Sequence, residues 1–311
     1  MRKAVLDCVY ELAKKDARVI YIGSDLGAGI LDNFKKEMPD RFFMEGVSEQ
    51  ALIGISAGLA LSGKIVYFNT IATFITRRCF EQVVLDMCLH HANVRLISNG
   101  GGLVYAPLGP THLAIDDIGI LRTIPGMTII APCDAEEMKR LMPHTLNYNG
   151  PIYIRLAKGG DSIVSLPEKE FTIGRAIVMR ECDNLNNALI IATGITTKIA
   201  MDAAAELEKQ GISATVLHMH TIKPFDKHAV ETYAKQAKAV ISVEEHTIYG
   251  GLGSAVAETL AEANINVKFK ILGIPDTFSS DYGSQQSIME KYGITAKGCV
   301  GLIKELMNRE N

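Results

Sequence analysis

The chain has 311 residues, more than a single hydrophobic core usually organises, so two domains are expected. Hydrophobic residues make up 48% and charged residues 22%, and the net charge of −3 gives no general attraction to nucleic acid or to an anionic membrane. No segment approaches the ~18 consecutive apolar residues of a membrane span, the charged opening MRKAVLDCVYELAKKDARVI lacks a signal peptide's apolar stretch, and six scattered cysteines without a CxxC pair fit reduced thiols in the cytoplasm better than disulfides or a zinc site.

Helical and strand patterns alternate throughout, which predicts an α/β fold with a mainly parallel sheet. Residues 2–15 read as an amphipathic helix and RVIYIGSDL (18–26) as a buried strand running into a loop. A helix over 48–62, the strand KIVYFNT and a helix from about Ile75 to His90 follow. The His90-His91 pair lacks ligand spacing and reads as a helix end, where imidazolium suits the dipole. NVRLISNG is another buried strand, ending in the loop GGGLVYAPLGPTH, and the strands MTIIAP and PIYIRLA flank the helix AEEMKRLMPHTL. The polar, Gly-, Pro- and Asn-bearing stretch after it marks a boundary. The expected division is a first domain over 1–165, a linker and domain entry over 166–185, and a second α/β domain over 186–311. In the second, ALIIATG, SATVLHMHTIKP and AKAVISVEEH read as strands; TTKIAMDAAAELEKQG, closed by Gly211, and SAVAETLAEA read as helices.

Ligands of parallel sheets bind beyond the strands' carboxyl ends. There lie Ser24-Asp25-Leu26, Thr70 to Phe74, Asn99 to His112, and Arg155 to Lys158, so the first domain should hold the site. One acid stands out. Glu49 opens the small-residue, apolar helix of FMEGVSEQALIGISAGLALSG, where an ionised and unpaired carboxylate would cost several kcal/mol if buried. Either it caps the helix or something binds there that exchanges a proton.

Six ordered motifs, GSDL, GVSEQALIGISAGLALSG, ATFITRRCFEQV, GPTH, LRTIPGMTIIAPCDAEE and GPIYIR, resemble the transketolase family, and more narrowly the pyrimidine-binding half of thiamine-diphosphate enzymes. IGRAIVM, ATG, HTIKPFD, VEEHTIYGGLGSAVAE and LGIPDTF resemble that family's C-terminal domain, so the resemblance covers nearly the whole chain. No GDG stretch, the family's diphosphate and metal signature, occurs in the sequence. The resemblance therefore implies a thiamine-diphosphate pyrimidine-binding fold followed by a transketolase C-terminal-like domain, with the diphosphate site and its Mg2+ on a separate N-terminal transketolase subunit. A heterotetramer with two of each chain is implied as well.

For the residues, the resemblance implies that Glu49 hydrogen-bonds the aminopyrimidine nitrogen, promoting the imino tautomer and hence the thiazolium ylide. A carboxyl in an apolar pocket exchanges that proton more readily, because burial raises its pKa. Phe74 would stack on or wall the pyrimidine, Asp25, Leu26 and Val47 would hold the cofactor, and His112 would face the substrate. Read without the resemblance, Phe74, Leu26 and Val47 fit core packing, Asp25 a cap, and His112 a structural loop bond. ITRRCFEQV runs one residue longer than the synthase pattern.

Four positions depart from the family. Asn99-Gly100-Gly101-Gly102 replaces a second histidine, Leu108 a substrate-contacting Asp, and Gly29 a phosphate-holding Ser. The phosphate-binding Arg appears as Lys158, three residues past Arg155. These changes suggest an unusual or modified ketose, with an anionic tail on Lys158 or Arg155. The implied activity is transfer of a two-carbon ketol unit between a ketose-type donor and an aldehyde acceptor. Alternatives are the β subunit of a 2-oxoacid dehydrogenase, a deoxyxylulose-phosphate synthase fragment, and a non-catalytic scaffold or regulator. GGLGS (250–254) precedes a helix and could cradle a phosphate, although its place in the C-terminal domain favours a structural or interface role.

Overall fold

A computed structural model of the chain describes residues 1–23, 29, 31–182 and 187–308. The first sheet contains β1 (Val19–Gly23), β2 (Phe42–Met44), β3 (Ile65–Ile71), β4 (Val94–Asn99), β5 (Thr128–Ile130) and β6 (Ile152–Arg155). The second contains β7 (Ile177–Arg180), β8 (Asn187–Ala192), β9 (Ser213–His218), β11 (Ala239–Thr247) and β12 (Lys268–Ile274). One more strand, β10 (Thr221–Lys223), leaves the second half of the chain and joins the first sheet, which has the order β10-β5-β6-β4-β3-β1-β2. All its pairs are parallel except β10 with β5, where Thr221 lies opposite Ile130. The second sheet runs β12-β11-β8-β9-β7, parallel except for β7 against β9.

The central strands read as unbroken apolar runs because helices cover both faces; β1, β4 and β6 are buried at every position. The helix Arg2–Lys15 turns Val5, Leu6, Val9, Leu12 and Ala13 inward at helical spacing. The helix Ala135–Leu146 starts where Asp134 accepts the Glu137 backbone N–H at 2.9 Å. The Asp134 carboxylate also accepts the N–H groups of Val164 (2.7 Å) and Ser165 (2.6 Å), which pins the chain between the two domains. One continuous apolar cluster joins Ile118, Leu121, Met127 and Ile129 to Leu217, Met219, Ile222, Leu252 and Val256, so the core crosses the domain seam.

Two elements differ from expectation. The stretch read as one strand, SATVLHMHTIKP, divides into β9 and β10, which belong to different sheets. The helix expected from Ile75 to His90 is broken into Ala72–Ile75, Phe80–Gln82 and a π-helical segment Val83–Cys88. At Thr76 the backbone leaves the helical region (φ −106, ψ −83), and the wide turn after it shows as Leu89 N–H bonding Val84 O, five residues back, at 2.9 Å. A π turn takes up one residue more than an α turn. The break leaves Arg77 and Arg78 on an exposed corner. The second sheet begins at Ile177, inside the stretch expected to be linker.

Candidate functional site

Glu49 begins the helix Glu49–Leu61, whose inward face is Leu52, Ile53, Ser56, Ala57 and Ala60. Its carboxylate is 3% exposed and makes no cap bond to its own helix; instead Arg78 Nη1 donates to Oε2 at 2.8 Å. The Arg78 guanidinium lies over the Phe74 ring, 3.8 Å from its centroid. Phe74, half-buried after the carboxyl end of β3, in turn meets the His112 imidazole edge-on at 5.3 Å. His112 Nδ1 pairs with the Thr111 hydroxyl at 2.9 Å, leaving the other ring nitrogen for an outside group. Three of the expected residues, Glu49, Phe74 and His112, are thus gathered into one constellation beyond the strand ends. Val47, two residues before Glu49, is 69% exposed and so is not part of this chain's core. Asp25 and Leu26 lie outside the described residues.

Lys158 and Arg155 part company. Lys158 is exposed and lines a cavity of about 310 Å³ with Arg2, Asn99, Tyr105 and the backbone of Gly100 and Gly159. No acid is among these lining residues, so the cavity is cationic. Burial pushes the Tyr105 phenol up, with the nearby Arg2 opposing that rise. Arg155 instead points into the seam between the domains. Its Nε donates to Asp117 Oδ2 at 2.8 Å and its Nη2 to Asp117 Oδ1 (3.2 Å), Ala114 O (3.0 Å) and Glu245 O (2.9 Å). These bonds and its burial hold Arg155 inside the seam, contrary to its expected place at a substrate's tail, whereas Lys158 stays exposed. Arg2 was not anticipated; its one signal is a cation at the start of a helix otherwise amphipathic, which sequence alone does not place opposite Lys158.

The glycine run at 100–102 admits close approach by the chain's own side chains. A Cβ on Gly101 would sit 2.5 Å from the Arg155 side chain, and one on Gly102, at φ +65, 2.5 Å from the Glu245 carboxyl carbon. Glu245 accepts from Leu103 N and Gln285 Nε2, both at 2.7 Å, and burial pushes its pKa up to about 7. The GGLGS loop is likewise filled from within. Glu244 accepts the N–H groups of Leu252 (2.7 Å) and Gly253 (2.8 Å) at the start of the helix Leu252–Glu262. Leu108 is half exposed on the loop before His112. The described cysteines are all free, and Cys133, Glu137 and His218 bring ligand-type atoms within 4.8 Å of one another at the seam. That trio is held by hydrogen bonds: His218 pairs with Glu137 at 2.9 Å and with the Thr197 hydroxyl at 2.8 Å, while Cys133 N–H donates to Glu137 at 2.7 Å.

Residues 1–160 match the transketolase pyrimidine binding domain, and residues 175–299 the transketolase C-terminal domain. The chain belongs to the transketolase family. Over 312 residues it is 38% identical to the 6-deoxy-6-sulfo-D-fructose transketolase subunit SqwH of Clostridium sp. (strain MSTE9), covering 100% of this chain and 95% of that protein. It is 38% identical over 299 residues to one of the subunits of the apulose-4-phosphate transketolase of Phocaeicola vulgatus, covering 96% and 94%. A solved structure titled "Split gene transketolase, inactive beta4 tetramer" superposes with a TM-score of 0.89 at 33% identity, covering 100% of this chain and 98% of that one.

Within the family, the chain carries the two domains found in these separate transketolase subunits, and it is a transferase subunit of that kind. The 2-oxoacid dehydrogenase alternative is not favoured. Among the described residues no helix is long and apolar enough to cross a membrane.

Proposed function

We propose that this chain is the pyrimidine-binding and C-terminal subunit of a two-chain transketolase, moving a two-carbon ketol unit from a ketose to an aldehyde. The observation that carries the reading is a buried carboxylate, Glu49, joined through the Arg78 guanidinium to the flat ring of Phe74, which in turn meets the imidazole of His112 beyond the carboxyl ends of a parallel sheet. This donor set fits a flat, basic heterocycle: a ring to stack against and an acid to share a proton with. When bound, thiamine diphosphate supplies the nucleophilic carbon for the transfer. The residues on its pyrimidine side would be Glu49, Phe74 and Val47, and the resemblance adds Asp25 and Leu26, which lie outside the described residues. Its diphosphate and Mg2+ would be held by the partner, a reading supported by the relatives named as transketolase subunits.

Glu49 would share a proton with the heterocycle's ring nitrogen, in a place that its burial keeps from bulk water. Phe74 fixes the ring's plane. His112, held by Thr111 at Nδ1, gives and takes protons on the substrate's hydroxyls through Nε2. Lys158 and Arg2 hold an anionic group at the far end of the sugar. Two relatives are named for ketoses carrying a sulfonate or a phosphate, which supports a charged tail here.

Val47, Ile55, Leu85 and Leu89 are exposed in this chain and leave apolar area open to the partner. With two of each chain the assembly is a heterotetramer, working in the cytoplasm on carbohydrate; the free thiols support that compartment. The test is a pull-down from the source cells with thiamine diphosphate and magnesium present, followed by ketose assays on the recovered pair. A partner containing GDG and a downstream Asn is expected, and Glu49→Gln in the pair should lower kcat at least ~100-fold. Full activity of that variant, or capture of a lipoyl-bearing acyltransferase, would overturn the reading.

A further inference from the structure

We propose that Arg78 is an internal competitor for the cofactor: its guanidinium fills the pyrimidine ring's place in the free chain and leaves when the cofactor enters. This rests on the assignment of Glu49 and Phe74 above. The guanidinium lies 3.8 Å over the Phe74 ring while its Nη1 donates to Glu49 Oε2 at 2.8 Å. A guanidinium and an aminopyrimidine share the features these two residues read, namely a flat N–C–N edge, N–H donors in that plane, and a face that stacks on an aromatic ring. One ring face and one carboxylate cannot serve both groups at once. Occupancy by Arg78 and by the cofactor is therefore mutually exclusive.

The arrangement also gives the buried acid a charge partner within the chain. Without a partner, Glu49 would be a stranded charge; Arg78 neutralises it. The two residues are unequal in freedom. The Glu49 side chain is 2% exposed and fixed on a helix, whereas that of Arg78 is 41% exposed. Arg78 also sits in the break between the helical turns Ala72–Ile75 and Phe80–Gln82, with its carbonyl accepting from the exposed Gln50 amide at 3.0 Å. Its side chain can swing into solvent without disturbing the core.

A competitor of this kind lowers apparent cofactor affinity by the fraction of chains in which it is seated. The probe is thiamine, which carries the pyrimidine without the diphosphate, titrated into the full chain by calorimetry and by ligand-observed NMR. Arg78→Met should bind thiamine about tenfold or more tightly than wild type. Wild-type affinity should rise with salt as the ion pair is screened, while that of Arg78→Met should not. Arg78→Lys, which keeps the charge and loses the plane, should fall between them. Equal affinities for wild type and both variants, including all below detection, would overturn the proposal. Glu49→Gln in the Arg78→Met background separates the two assignments. If it leaves thiamine affinity unchanged, Glu49 does not face the pyrimidine; if it weakens binding while Arg78→Met equals wild type, only the competitor is refuted.

Discussion

Replacing Arg155 by Met distinguishes a seam-holding residue from a substrate contact. In the wild type, Asp117 is fully buried and receives both Arg155 bonds along with one from the Tyr153 hydroxyl at 2.6 Å. Removing the guanidinium leaves a buried carboxylate without its cation, which costs about 3–5 kcal/mol. The Glu245 carbonyl loses its charged donor as well, adding roughly 1–2 kcal/mol. The expected loss is about 4–7 kcal/mol, read as a lower urea midpoint followed by circular dichroism. Its pH dependence follows from the same groups. Burial raises the Asp117 pKa, and Arg155 together with His246 and the Tyr153 hydroxyl more than reverses that, so the wild-type group sits below its ordinary value and contributes stability above about pH 4 that is lost on acidification. Without Arg155 the raising influence of burial dominates. Asp117 then takes up a proton as the pH falls, and the defect shrinks from pH 8 to pH 5. Arg155→Met combined with Asp117→Asn should be at least ~2 kcal/mol more stable than the sum of the single losses predicts. A single variant within ~1 kcal/mol of wild type, with a raised KM for anionic ketoses in the reconstituted pair, would refute the reasoning and return Arg155 to the substrate.

Lys158→Ala in the reconstituted pair should raise KM about tenfold for a phosphorylated or sulfonated ketose and leave a neutral ketose unaffected; equal effects on both would count against an anion site. Gly102→Ala combines φ +65 with a contact of 2.5 Å to the Glu245 carboxyl carbon, so it should cost at least ~2 kcal/mol, visible as a lowered melting temperature. Burial pushes Glu244 and Glu245 up to about 7 from 4.5, so their contribution is full below about pH 4.5 and is lost as pH rises through 7. Thermal melts at pH 5.5 and 8 should show that fall, and Glu245→Gln should flatten it; an unchanged slope in the variant would contradict it.

The fold was legible where local pattern and tertiary demand agree. The helix Ala135–Leu146 occupies the stretch AEEMKRLMPHTL because Asp134 caps it and its apolar spacing is helical. The strands β3 and β8 follow from buried apolar runs. The break at Thr76 was only partly legible: ITRRCFEQV runs one residue long against the synthase pattern, yet the residues from Ile75 to His90 keep an apolar spacing that a continuous helix would also satisfy. The parting of β9 from β10 was not legible, because nothing local tells Thr221 that its partner is Ile130. In the site, Glu49 was readable as an anomaly, an acid in a small-residue helix. Arg155 was not, because a cation after a buried strand looks the same whether it meets a ligand or an aspartate of its own chain such as Asp117. The trio of Cys133, Glu137 and His218 is invisible for the same reason: its third member comes from the other domain.

The placement of β10 sets where this chain can be cut. Strand β5 has β6 on one side, and on the other only three residues that arrive after the whole of β7, β8 and β9. A fragment ending in the linker would keep every residue of the first domain's own helices and strands. It would nevertheless present the outer rim of β5 as a row of unanswered amides and carbonyls, a template for pairing with another fragment. Expression of the first domain alone should therefore give aggregates rather than a working half, and the two domains are best regarded as one heritable unit.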